Sequence, residues 1–117
     1  MIAAALVLAV AAAPTSVGVA QREYRLTLYR ASVPRGLVEL NVRNYGEDGH
    51  NLVVLSRSGK KVLAQMPEVA AGATASLRVR LRRAGRYPLV CTVDDHLARG
   101  MRTSLRVRRA RRAALRR

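Results

Sequence analysis

The sequence predicts an all-β domain built as a Greek-key β-sandwich, and three observations carry that prediction. Apolar and polar residues alternate with a period of two in one segment after another, as in strands with one face buried. Turn residues separate those segments at short, regular intervals. No internal stretch carries the period of an amphipathic helix, and six or seven short strands without a helix pack as two antiparallel sheets. A chain of 117 residues, half of them apolar and a quarter charged, has material for one core. That core is aliphatic, because the sequence has no Trp, no Phe and only four Tyr.

In chain order, REYRLTLYR is the first strand, with Tyr24, Leu26 and Leu28 inward and Arg25, Thr27 and Tyr29 outward. Val33-Pro34-Arg35-Gly36 reverses the chain. In LVELNVR, Val38, Leu40 and Val42 face inward. The polar stretch from Asn44 to Gly49 is a loop that delivers His50 at the start of the next strand, HNLVVLS. A turn at Ser58-Gly59-Lys60-Lys61 follows. VLAQM reads equally as a short strand or a helical turn, and Pro67 to Ala75 reads as irregular. The alternation returns in SLRVRLRR, where Leu77, Val79 and Leu81 face inward. After the turn at Ala84-Gly85, RYPLVCT sets Tyr87, Leu89 and Cys91 on one face. RTSLRVR closes the domain with Thr103, Leu105 and Val107 inside.

The chemistry-bearing residues concentrate in YPLVCTVDDHLARGM. This stretch holds the single cysteine, Cys91, with His96 five residues on and Met101 five beyond that. A thiolate, an imidazole and a thioether are soft donors that suit copper above other common metals. A site with two imidazoles, one thiolate and a weak axial thioether needs a second histidine, and the chain has one other, His50. The nine residues between Cys91 and Met101 bridge two neighbouring strands across one end of the sandwich, and His50 reaches the same end from its own strand. Rigid strand ends hold such donors in place.

In this order and spacing the chain resembles the cupredoxins, the small blue copper proteins that include plastocyanin, azurin and rusticyanin. The resemblance covers roughly residues 22 to 107. It rests on His50-Asn51 at a strand start and on Cys-x4-His-x4-Met, a rusticyanin-like spacing. It implies one copper ion cycling between Cu(I) and Cu(II). His50, Cys91 and His96 would be the strong ligands, Met101 the weak axial one, and Asn51 the residue that ties the His50 strand to the Cys91 loop and tunes the sulfur. It also implies that His96 is the solvent-exposed ligand through which the electron leaves. Asp94, Asp95, Arg99 and Arg102 would then shape the docking of a partner. Asp94 and Asp95 depart from the pattern, since many relatives carry Pro-Gly or a single Pro before this histidine.

Several function classes are excluded or weakened. Two histidines cannot build the trinuclear centre of a multicopper oxidase. Cys91, His96 and Asp95 contain the residue types of a thiol hydrolase, but such groups are usually far apart in sequence, and nothing here resembles an oxyanion hole. Zinc accepts a thioether poorly. The expectation is a non-enzymatic, monomeric copper protein that carries single electrons. The alternative is a module for copper storage, delivery or resistance. Its partner would be a redox protein or a copper acceptor.

The first 20 residues read as a signal peptide or N-terminal anchor, residues 21–107 as the copper-binding domain and 108–117 as an arginine-rich tail. The apolar run from Ile2 to Ala13 is too short to span a bilayer and is ended by Pro14. Gly18 and Ala20 are the small residues that precede a cleavage before Gln21, although a basic n-region is missing. Export to the periplasm, cell envelope or exterior follows, and an odd cysteine there is explained by metal ligation. The chain carries a formal net charge of +15, and seven of its 22 basic residues lie in the last twelve positions. Such a tail is attracted to anionic surfaces, a membrane among them. Specific nucleic-acid binding is not expected, for want of base-stacking aromatics.

Overall fold

A computed structural model of the chain describes residues 3–6 and 13–109. Nine strands form two sheets: β1 (Thr15–Arg22), β2 (Arg25–Leu28), β3 (Ser32–Pro34), β4 (Gly36–Asn44), β5 (His50–Leu55), β6 (Val62–Val69), β7 (Thr74–Leu81), β8 (Gly85–Val90) and β9 (Arg102–Arg108). The strand order is β2-β1-β4-β7 in one sheet and β3-β9-β8-β5-β6 in the other. The sandwich is therefore as predicted, with no helix among the described residues. Its inward-facing residues are largely those the alternation selects. Val38, Leu40 and Val42 of β4, Val79 and Leu81 of β7, Tyr87 and Leu89 of β8, and Leu105 and Val107 of β9 are all buried in one core.

Four expectations change. The first strand of the domain is β1, which starts at Thr15, six residues ahead of the boundary expected at Gln21. It lies between β2 and β4, pairs in parallel with β4 from Thr15↔Val38 to Gln21↔Asn44, and buries Val17, Val19 and Ala20. Cleavage after Ala20 would remove most of this strand. The same small and apolar residues that resemble a processing site are core residues here. Second, the segment from Arg22 is broken by a turn at Glu23 and Tyr24, so the strand within REYRLTLYR shortens to Arg25–Leu28. Third, Val62–Val69 is a full strand at the edge of its sheet, against β5. Only Met66 and Val69 are buried in it, so edge exposure hides the period of two that marks a half-buried strand. Fourth, the sheets are mixed: β1 with β4 and β3 with β9 run parallel.

The topology gives the sandwich two distinct ends. At one end β5 begins with His50, β8 gives way to Cys91, and β9 begins just after Met101. At the other end β4, β7, β8 and β9 start or stop beside Arg35, Arg82, Ala84 and Arg109.

Candidate metal centre

The chain builds this centre from one strand start and one wound loop. His50 is the first residue of β5 and pairs with Val69 of β6. Cys91 directly follows β8, and its amide donates to the Met101 carbonyl at 3.1 Å, closing the loop between them. Within the loop the His96 amide donates to the Val93 carbonyl at 2.9 Å and the Met101 amide to the His96 carbonyl at 3.0 Å. Gly100 takes a left-handed φ of 96°, which spares the loop the steric cost a side chain would bring. Asp94 also lies in this region, at φ 45°, where Asp is tolerated. A proline cannot reach that angle.

His50 Nδ1, Cys91 Sγ and His96 Nδ1 converge. One donor atom from each of these three buried residues lies within 4.8 Å of the others. The sulfur is 3.8 Å from His50 Nδ1 and 3.6 Å from His96 Nδ1, and the two nitrogens are 3.1 Å apart. Met101 is fully buried in the same cluster as Cys91. Two ring nitrogens and a thiol in mutual contact offer three donor atoms to one point, an arrangement that suits a cation. The donor set fits copper: two imidazole nitrogens and a thiolate in the inner triangle, with a buried methionine next to them in the chain fold.

Each imidazole turns its other nitrogen toward a carboxylate. His50 Nε2 is 3.6 Å from Glu23 Oε2, and His96 Nε2 is 3.4 Å from Asp48 Oδ2. His50 Nε2 is buried without a hydrogen bond, so the Glu23 carboxylate is its electrostatic partner. Such outward carboxylates fix ring orientation and make the ligand nitrogen a better donor. Glu23 is itself fixed, because Oε1 accepts from the amides of Glu47 at 2.5 Å and Asp48 at 2.6 Å. These amides, with Asp48 leading, hold the Glu23 carboxyl below the usual carboxylate range. Gly46 leaves the room, since a methyl group there would collide with the Glu23 carboxylate.

Amide side chains clamp the remaining parts. Asn51 Nδ2 donates to Thr92 Oγ1 at 2.8 Å, and Asn51 Oδ1 accepts from the Thr92 amide at 2.7 Å. The His50 strand is thereby locked to the residue after Cys91, as expected of Asn51. The Asn51 carbonyl accepts from Gln21 Nε2 at 3.0 Å, which joins the second sheet to the site. Asn44 Nδ2 donates to the carbonyls of Asp48 at 2.7 Å and Val69 at 2.9 Å, while its Oδ1 accepts from the Gly46 amide at 2.8 Å. That side chain shapes the loop leading into His50.

Of the residues singled out from sequence, His50, Cys91 and His96 come together as donors, with Met101 buried on their loop. His96 differs from expectation in one respect: it is only 3% exposed. The edge of the Tyr24 ring, with centroids 5.2 Å apart, and the Asp48 carboxylate cover it. Asp94, Asp95, Arg99 and Arg102 are exposed around the loop. Asp95 and Arg99 pair at 2.7 Å, which lowers the Asp95 carboxyl, and Arg99 lies 5.0 Å over the Tyr24 ring. Glu23, Asp48, Asn44, Gln21 and Thr92 were not singled out. Asn44 could have been found from the Asn-Tyr-Gly turn signal, but Glu23 is 27 residues from His50 and carries no local mark.

No family model and no curated protein sequence matches the chain. Solved structures do. An azurin (Az-iso2) from Methylomonas sp. strain J is 19% identical, with a TM-score of 0.69, and the match covers 82% of this chain and 99% of that one. Auracyanin A, a "blue" copper protein from Chloroflexus aurantiacus, is 15% identical at a TM-score of 0.65, covering 82% and 100%. Rusticyanin from Thiobacillus ferrooxidans is 15% identical at 0.63, covering 82% and 79%. The chain has the cupredoxin fold.

Proposed function

We propose that this chain is a type 1 copper protein that carries single electrons in the cell envelope. One observation carries the reading: two imidazole nitrogens and a thiolate meet in a buried triangle on clamped elements, in a fold whose solved examples include a blue copper protein. Bound copper supplies the one-electron Cu(I)/Cu(II) couple. His50, Cys91 and His96 would hold the ion as strong donors, with the buried Met101 thioether as a weaker fourth. Asn51 and Glu23 hold their positions during the redox change, so little reorganisation accompanies it. Because His96 is covered, the electron's route to a partner runs by the loop surface around Tyr24 and Leu97, flanked by Asp94, Asp95, Arg99 and Arg102. These exposed charges select the partner's docking face.

Copper delivery is the weaker alternative, since release to an acceptor calls for a donor set that opens, and all four side chains here are buried. Export is part of the proposal. Cleavage within β1 is not part of it, because β1 belongs to the core.

The test is the visible spectrum of a chain beginning at Ala13 after addition of Cu(II). An intense thiolate-to-copper band, absent from Cys91→Ser, is the expected result, with reversible redox cycling and no loss of metal. A colourless protein that passes Cu(I) to a chelator would overturn the carrier in favour of delivery.

A further inference from the structure

The end of the sandwich away from the metal centre gathers charge that the proposed function does not use. Arg35, Arg57, Arg82, Arg83 and Arg109 line one open cleft there. They come from four separate parts of the chain: the entry to β4, the turn after β5, the turn between β7 and β8, and the exit from β9. All five are exposed. The arginine–carboxylate pairs among the described residues are Arg78 with Glu39 and Arg99 with Asp95, so none of the five has an acidic partner there. The carboxylates are elsewhere. Six of the seven, all but Glu39, sit at or beside the metal end: Glu23, Glu47, Asp48, Glu68, Asp94 and Asp95.

Both chain termini leave the fold at this basic end. Thr15 opens β1 opposite Val38, two residues into β4, so the apolar N-terminal stretch enters the domain beside Arg35. Its described residues 3–6 are uncovered by the domain, with Leu6 85% exposed. Arg108 closes β9 at the same end, and the arginine-rich sequence continues from it.

We propose that this end is a docking surface for an anionic lipid bilayer, which seats the domain with its metal centre facing away from the membrane. Guanidinium groups bind phosphate oxygens through paired donors and are weakly hydrated, which suits lipid headgroups. An apolar sequence, uncovered at residues 3–6, leads to Thr15 at this end, and a bilayer takes up apolar residues as well as guanidinium groups, which favours it over an acidic protein. Acidic residues collected at the far end add to the orientation, since an anionic surface repels them. The assignment does not depend on copper.

The experiment uses the full metal-free chain and phosphatidylcholine vesicles with and without phosphatidylglycerol, at low and high salt. Two charge-matched triple variants are compared: Arg35→Gln, Arg82→Gln, Arg83→Gln at the basic end, and Arg22→Gln, Arg25→Gln, Arg43→Gln toward the metal end. Each basic residue at a membrane surface contributes about fivefold in binding, so the first variant is expected to lose roughly a hundredfold of the preference for anionic vesicles. The second is expected to lose only a few-fold, and lysine at the same three basic-end positions should restore binding. Thermal unfolding at the parent midpoint checks that both variants are folded. Equal losses in the two variants, or no loss in the first, overturn the proposal. So does binding to soluble polyphosphate with none to anionic vesicles, which would assign the surface to an acidic polymer.

Discussion

The two ends of this sandwich are built on opposite principles. At the metal end, position is everything: Asn44, Asn51, Gln21 and Glu23 each bind the backbone of another segment, so that three donor atoms meet within a few ångströms. At the basic end the turn between β7 and β8 is held by Tyr87 Oη donating to the Arg83 carbonyl at 2.6 Å and by Arg57 Nη1 donating to the Ala84 carbonyl at 3.2 Å, but the guanidinium groups are otherwise left to solvent. A metal site depends on angles and distances, whereas long-range attraction depends on how many charges share a region. Substitutions at the first end should therefore be felt individually, and at the second only in number.

The harshest way to break the comparison is to remove the strand that runs between the two ends. A chain starting at Gln21 lacks Val17, Val19 and Ala20 of β1, strips β2 of most of its pairing and leaves β4 with β7 on one side alone. Each buried valine contributes about 1.5–3 kcal/mol against a total stability of about 5–15 kcal/mol. Loss of a cooperative thermal transition is expected, while a chain from Ala13 retains it.

Next is Asn51→Ala, which cuts two bonds to Thr92. Outer partners of this kind cost about 10–100-fold in metal affinity when removed, to be read by chelator competition for Cu(I). A smaller and more pointed effect is expected from Gly46→Ala, whose new methyl group displaces the Glu23 carboxylate from its place behind His50. Affinity should fall about tenfold, and combining it with Glu23→Ala should cost no more than either alone, because both remove one interaction. At the bottom of the scale, Arg82→Gln alone at the basic end should change stability by less than about 0.5 kcal/mol and leave the copper spectrum untouched. A large spectral change there would show that the two ends are coupled.

Legibility follows the same division. The core faces of β4, β7, β8 and β9 could be read because each has a buried side and a wet side, which prints a period of two into the sequence. Strand β6 was unreadable because it is an edge strand with most of its side chains exposed. The start of β1 reads as the end of a leader because a buried strand of small apolar residues and a processing site share the same composition. The candidate donors His50, Cys91, His96 and Met101 stood out by scarcity and order in a chain with one cysteine and two histidines. Glu23 and Asp48 did not, since exposed-looking carboxylates near turns are ordinary.

By itself, then, the sequence determined the sandwich and the soft donor set, since each depends on residue type and local spacing, while the Asn51 clamp was implied by the resemblance to cupredoxins. Only the tertiary structure decided that His96 is covered, that carboxylates stand behind both imidazoles, and that arginines from four separate parts of the chain share the end opposite the metal centre. Alternation tells which face of a strand is buried. It does not tell which way neighbouring strands run or which turns meet at an end, and that is settled only when the two sheets pack.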